Sequence, residues 1–451
     1  MAYADITLTE AENLLAVLLA DPAKVRFISD ELQTYIIEAI RTWGALSGIY
    51  EAQTEPIALS PGDTFLDLPT IAPDFCAYTV LPADLVGPMQ YHLVEPKNVV
   101  VWAGSEMFTL ADLTTAITRR RDQFLLDTLC RIDRAQLPAS PDTIAPGTES
   151  FALPDTTIGV RRAAWVSATG STRRMWRSSH WSSRSSAPAI TGTQGLPRTY
   201  DFDTHAPITL SFNPVPADIG TLDLLLIRSG NVGNYLGVPD DFAAFVKWGA
   251  LADLLGKDGP ARDYARSLYC ERRYRLGVAA MLARQNVTDV LVNDRPAKFT
   301  TIDKLDSGRQ PWQDLSAAIP LYAAPVGANL LVLADPLSAT ADLKIRVQRN
   351  APVPTLGDGG AYLQIGREFL DVILGYAVHL AMFKIGGSEF AATTQFANAM
   401  FDAAAEYNAK LKDSAAFEDV RFSDSPKREL KRGVRRVTGA TVGGSAEQES
   451  A

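Results

Sequence analysis

Apolar residues recur every three or four positions in some stretches and alternate with polar ones in others, so the chain reads as α+β. Near the start, Thr9 and Glu12 have the spacing of a capping box, and Leu14, Val17 and Leu18 then give an apolar stripe. A second helix is predicted from Ser29 to Leu46. It carries Leu32, Tyr35, Ile36, Ala39, Ile40 and Trp43 on one face, and Gly48 ends it. The stretch PIALSPGDTFLDLP, Pro56 to Pro69, alternates around a Pro-Gly-Asp turn and predicts a short hairpin. A further helix begins at Thr109 with Asp112 as its box partner and runs to about Cys130, with Leu110, Leu113, Ile117 and Phe124 on one side.

From Pro138 to about Arg228, short β runs separated by Pro, Gly, Ser and Asp predict a small antiparallel β domain. One layout, a β run followed by two helices, then occurs twice. At a constant offset Phe242 meets Phe369, Ala250 meets Ala377, Gly259 meets Gly386, Tyr269 meets Phe396 and Tyr274 meets Phe401. In the second copy Phe369, Val372, Ile373, Tyr376, Ala377 and Leu380 form one stripe. The closing helix of each copy is less apolar. It is rich in Arg in copy one (Arg262, Arg266, Arg272, Arg273, Arg275) and in Ala in copy two, so its outer face is free to meet another chain. The predicted organisation is a helical region with a hairpin (1–135), a β-rich region with the first helix pair (136–285), a linker (286–320), a second β-plus-helix-pair unit (321–412) and a flexible basic tail (413–451).

Length and composition fit two or three packed domains: 451 residues, 47% hydrophobic. The net charge of -9 gives the whole molecule no electrostatic attraction to nucleic acid, so basic function is confined to local segments. Two segments qualify. Residues 170–187 interleave Arg173, Arg174, Arg177 and Arg184 with Trp176 and Trp181; they read as a contact loop for a neighbouring subunit or, less strongly, as a track for single-stranded nucleic acid. The stretch from Arg421 to Arg436 carries seven basic residues against two acidic, including Lys427, Arg428, Lys431, Arg432, Arg435 and Arg436. It reads as a separable device for packaged DNA or an acidic protein groove, or as a solubilising tail. The triplet Arg119, Arg120 and Arg121 reads as a solvated helix face or as salt-bridge partners. No run approaches the roughly 18 apolar residues of a membrane span, and the acidic start lacks a secretory pattern; cytoplasmic synthesis and no membrane partner are expected.

The residues that carry catalysis are sparse in pattern. His92, His180, His205 and His379 are scattered, and Cys76, Cys130 and Cys270 lie far apart beside large apolar neighbours, which predicts buried thiols and neither a zinc site nor a disulfide framework. Asp240 and Asp241 open a helix after Pro239, where acidic residues favour the helix dipole. GKDG (Gly256 to Gly259) and GDGG (Gly357 to Gly360) lack the Lys-Ser/Thr ending of a phosphate loop and read as turns. The expectation is a chain with no catalytic, metal or cofactor site.

Two segments resemble a known family. ISDELQTYIIEAIRTWGALSGIYEAQTEPIALSPGDTFLDLP and GVPDDFAAFVKWGALADLLGKDGPARDYARSLYCERRYRLGV look like the opening helix and the closing helix pair of tailed-phage head-to-tail adaptor, or connector, proteins. The resemblance covers mainly residues 28–69 and 237–280. It implies a homo-oligomeric ring, commonly of twelve subunits, lying between the portal protein and a tail or nozzle protein around the DNA channel, in a virion assembled in the host cytoplasm. This chain is about twice the size usual in that family, which leaves open another tail component, such as a nozzle or fibre-attachment protein, and more remotely an enzyme or DNA-processing factor.

Overall fold

A computed structural model describes residues 6–73, 78–94, 107–139, 142–178, 193–202, 208–228, 235–259, 262–284, 286–308, 312–317 and 319–422, with side chains to 410. The fold is α+β. The chain opens with α1 (Leu8–Leu18), α2 (Ser29–Ser47), β1 (Glu51–Gln53), β2 (Ile57–Leu59), β3 (Phe65–Asp67), α3 (Leu68–Ile71) and α4 (Val86–Leu93). Then come α5 (Leu110–Thr128), β4 (Asp133–Leu137), β5 (Ser150–Ala152), β6 (Thr157–Ser167), β7 (Thr172–Arg177), β8 (Gln194–Gly195), β9 (Thr199–Phe202), β10 (Thr209–Asn213), β11 (Val215–Pro216), β12 (Gly220–Arg228), α6 (Ala243–Gly256) and α7 (Tyr264–Ala283). The last part holds β13 (Val287–Val292), β14 (Arg295–Pro296), β15 (Lys298–Phe299), α8 (Ile302–Gly308), β16 (Tyr322–Val326), β17 (Leu330–Ala334), β18 (Ala341–Gln348), α9 (Leu370–Met382), α10 (Gly387–Ala392) and α11 (Thr394–Phe422).

One layout appears twice, the second nested inside the first. In the inner unit α5 leads into β4, β12 lies between β4 and β6, β6 pairs antiparallel with β7, and α6 and α7 follow. In the outer unit α2 leads into β1, β18 lies between β1 and β13, β13 pairs antiparallel with β14, and α9 and α11 follow. The sequence repeat therefore extends to a leading helix and strand in each copy. Both leading helices have 19 residues and end on a left-handed residue, Gly48 at φ 65° and Leu129 at φ 51°. In their last turns Ser47 and Thr128 each donate a 2.7 Å hydrogen bond to the carbonyl four residues back, on Trp43 and Phe124. Trp43 lies 4.6 Å from Phe369, and Phe124 6.3 Å from Phe242, between ring centroids. Phe242 and Phe369 each end a 3-10 turn that feeds the first helix of the pair, with nearly equal backbone angles (φ -96° and -103°, ψ -6°).

The helices of both units share one apolar core, while the β part is layered. Leu331 and Leu333 of β17 face Val290, Leu343 and Ile345 of the five-stranded sheet, and Leu330, Val332 and Ala334 face Leu225, Leu305 and Trp312 beneath the inner unit. A strand covered on both sides has no polar face, which explains the unbroken run LLVLA. Beyond it, Leu222, Leu224 and Leu226 of β12 join Trp165, Met175 and Phe212 in the core of the seven-stranded sheet, which is antiparallel except between β7 and β9.

Several expectations are corrected. The first capping box is Thr7 with Glu10, whose carboxylate accepts from the Thr7 N–H at 2.8 Å. The same spacing occurs in two overlapping places, and the buried face Leu8, Ala11 and Leu15 selects the earlier; Leu14, Val17 and Leu18 face solvent. Ser60 to Asp63 does turn, with Gly62 at φ 92°, but β2 continues onto β18 and β3 onto β17. Leu59 and Leu66 enter one core from two different sheets, so the strands diverge and form no hairpin. The stretch 286–320 is not a loop: β13, β14, β15 and α8 lie in it, anchored by Val287, Val290 and Val292, whose alternation polar neighbours obscure. The backbone of α11 stays helical to Phe422, past the predicted start of the tail at 413. Asp240 and Asp241 stand in the first turn after Pro239, as expected, and their carboxylates also reach away from the helix. Asp240 accepts from Thr79 N–H (2.7 Å) and Val80 N–H (3.1 Å), and Asp241 from Ala351 N–H (2.9 Å), so each satisfies a distant loop backbone that would otherwise lack a partner.

Candidate functional site

Among the described residues, three interior clusters of ionisable side chains join separate parts of the fold. The first lies where α2 and α4 face α6. Both α2 and α6 are enclosed by other helices, so polar residues on them are forced inside and must find partners there. The Lys247 ammonium donates to Glu38 and lies 3.0 Å from Nε2 of His92, while Trp248 Nε1–H donates to the second Glu38 oxygen at 2.9 Å. All four residues are buried. Burial, reinforced by the Lys247 charge, holds His92 well below the usual imidazole range, and burial lowers the Lys247 ammonium against the pull of Glu38.

The second cluster joins α7 to α9 and to the start of α11. Tyr269 Oη is 2.7 Å from His379 Nε2, and His379 Nδ1 is 2.8 Å from Thr393 Oγ1. Burial, then the nearby Arg273 charge, pushes His379 down to about 3, and burial pushes the Tyr269 hydroxyl up to about 12. The Arg273 guanidinium donates from Nε to Tyr269 and is enclosed by the rings of Tyr269, Tyr376 and Phe401, the last 4.3 Å away. His379 is thus a packed, hydrogen-bonded histidine, as its place on an apolar helix predicts.

The third cluster holds the inner sheet to α8. Arg162 donates to both Asp306 oxygens at 2.8 and 3.0 Å and to Gln313 at 2.9 Å; Trp312 Nε1–H also donates to Asp306. Arg134 pairs with Asp223, and Arg161 and Arg174 pair with Asp303.

The first two clusters line neither of two surface clefts, while the third reaches one of them through Arg134. One cleft, of about 650 Å³, is lined by Arg131, Arg134, Arg228, Tyr78, Tyr235 and Asp67, with Arg134 stacked 4.2 Å over Phe65. The other, of about 740 Å³, runs along α5, α6 and α7 past Arg119, Asp112, Lys257, Tyr264, Leu268 and Glu271. In the arginine triplet, Arg120 takes Asp253 and Glu271, Arg121 takes Asp122, and Arg119 stays largely in solvent.

Of the predicted contact residues, Arg173, Arg174, Trp176 and Arg177 lie on strand β7, not in a loop. Arg174 is mostly buried, tied to Asp303 and stacked 4.0 Å over Trp176, so it is committed inside the chain. Arg173, Trp176 and Arg177 are exposed, with Arg177 stacked on Phe202. Trp181, Arg184, Lys427, Arg428, Lys431, Arg432, Arg435 and Arg436 lie outside the described residues, as do Cys76, His180 and His205. Sequence reasoning missed Glu38, Lys247, Arg162 and Asp306; a charge inside an otherwise apolar helix, as Lys247 is in AAFVKWGALADLL, is the signal that marks such positions.

Among the described residues no group of three or more His, Cys, Asp or Glu could hold a metal ion, and no helix is long and apolar enough to cross a membrane. Cys130 and Cys270 are free and buried, with burial pushing the Cys130 thiol up to about 11. The chain matches no protein-family model and no curated protein sequence.

Proposed function

We propose that this chain is a structural subunit of a phage neck, a head-to-tail adaptor that assembles into a ring between portal and tail proteins and surrounds the DNA channel. The observation that carries the reading is that the two segments resembling that family, 28–69 and 237–280, form one packed unit: Glu38 of the first binds Lys247 and Trp248 of the second. In this reading the helices form a bundle set against a small antiparallel β domain, and the second β-plus-helix-pair unit enlarges the subunit. The buried ionic groups then act as internal fasteners of a shaped block, not as catalysts. A ring closes because cyclic symmetry covers surfaces that a lone subunit exposes. A net charge of -9 suits a channel wall that does not retain DNA.

The test is imaging. Negative-stain micrographs of the purified chain should show closed rings, and virions carrying it with a C-terminal label should bear the label at the neck. Label at the distal tail or on fibres would replace this reading with that of another tail component.

A further inference from the structure

The two closing helices, α7 and α11, occupy equivalent places in the two units, yet their outer faces are opposite in character. On α7 the exposed positions Tyr264, Leu268, Arg272, Arg275, Ala279 and Leu282 form one stripe along the helix. At the offset that sets Phe242 on Phe369, Arg272 falls on Ala399, Arg275 on Asp402, Ala279 on Glu406 and Leu282 on Ala409, all exposed. One face is therefore basic with large apolar residues, Tyr264, Leu268 and Leu282 being 68%, 41% and 63% exposed. Its counterpart sets two acids, Asp402 and Glu406, among small residues, with Lys410 at its end. The inner sides of the two helices are already occupied, since Arg273 of α7 stacks on Phe401 of α11. Among the described residues the ion pairs on the outer sides are within one helix, Arg275 with Glu271 and Glu406 with Lys410, and exposed pairs of that kind are weak and exchangeable.

We infer that these faces are the two halves of a head-to-tail contact between copies of this chain, the outer face of α7 on one copy seating against the outer face of α11 on the next. Arg272 and Arg275 meet Asp402 and Glu406, and Tyr264, Leu268 and Leu282 cover the alanine positions. The α7 stripe extends about 27 Å and the named α11 positions about 15 Å, from the helical rise, so the acidic face fits within the length of the basic one. Like faces repel, α7 against α7 through its arginines and α11 against α11 through its acids, which excludes symmetric pairing of either helix with itself. A contact between unlike faces either closes a ring or propagates. The inference rests on the assembly reading above for its context.

The experiment uses the full chain, with R272E/R275E, D402R/E406R and the fourfold variant carrying both pairs. All four positions are exposed, so each variant should keep the wild-type melting curve. Sedimentation velocity should show wild type assembling and weakening as ionic strength rises. Each paired variant should associate at least tenfold more weakly. The fourfold variant should regain assembly, as should an equimolar mixture of the two paired variants, because each presents the charge the other lacks. Wild-type behaviour in either paired variant, no recovery on mixing, or a wild type that stays monomeric overturns the contact. Closed rings insensitive to both charge reversals would refute this contact and leave the adaptor reading standing. A dimer that never grows would overturn the head-to-tail contact, because each such dimer would still present one free basic and one free acidic face.

Discussion

Helices α2 and α5 have the same length, the same left-handed exit and equivalent strands after them, but they live in different surroundings. α2 lies between α9 and α11 on one side and the Asp240–Phe242 turn of the inner unit on the other, so Glu31, Gln33, Glu38, Thr42 and Ser47 are buried together with its apolar stripe. α5 packs on α6 and α7 and keeps a side that water reaches. At the offset that sets Trp43 on Phe124, Ala39 and Ile40 of α2 fall on Arg120 and Arg121 of α5. The same backbone thus carries acids that must be paired inside and arginines that can be paired at an edge. What a charge is worth follows from which helix surrounds it.

The largest break should come at α2. Lys247→Met leaves Glu38 buried with Trp248 as its remaining donor, and removing one partner of a buried pair costs about 3–5 kcal/mol. The double variant Glu38→Gln with Lys247→Met removes both charges and should recover most of that loss. Urea unfolding of the three chains measures it. If the double variant is no more stable than the single one, the pair is not what fastens α2.

Much of this was readable in advance where period and punctuation agree. Ser29 to Leu46 was predicted and Ser29–Ser47 is found, because Leu32, Tyr35, Ile36, Ala39, Ile40 and Trp43 keep a 3.6-residue phase and Gly48 supplies the left-handed stop. Thr109 and Asp112 cap α5 as their spacing predicts. The sheets were less legible. Ile57–Leu59 and Phe65–Asp67 carry a proper turn signal, but their partners lie more than 250 residues away in β18 and β17, and no local pattern encodes that. The repeat was visible only in its closing strand and helix pair; its leading helices share length, exit and a hydroxyl back-bond but little sequence, since burial demanded different residues of each. The interior charges were missed for a related reason: Lys247 and Glu38 are distant in sequence and have meaning only as a pair.

A smaller effect should separate by pH. Asp241 belongs to the turn that packs on α2, where a Cβ on Gly44 would come within 3.2 Å of its carboxylate. Burial raises this carboxyl to about 6 in the folded chain, above the ordinary 3.8 of an aspartate, with Arg284 and the Ala351 N–H opposing. Between those values the folded state binds more protons than the unfolded one. Its contribution is therefore present below pH 4 and is lost as pH rises through 6, by on the order of 2–3 kcal/mol. Asp241→Asn retains an acceptor for Ala351 and has no proton to lose, so relative to wild type it should gain stability from pH 4 to pH 7. Parallel pH dependences for the two chains would rule out a protonated Asp241.

The smallest effects lie on α5 and test whether the edge helix tolerates what the central one cannot. Arg120 donates to Asp253, pairs with Glu271 at 2.9 Å and stacks 5.1 Å over Tyr274, but both acids retain some contact with water. Arg120→Met should therefore cost about 1–2 kcal/mol, below the Lys247 value, because the carboxylates left behind can be hydrated. Its neighbour Arg119 has a side chain 75% exposed and reaches Asp253 only at 4.0 Å, so Arg119→Ala should stay within about 0.5 kcal/mol of wild type. Thermal melts of the two variants side by side read the contrast. Equal losses would mean that the free side of α5 is fastened in a way the ion pairs do not account for, and the distinction between the two leading helices would have to be redrawn.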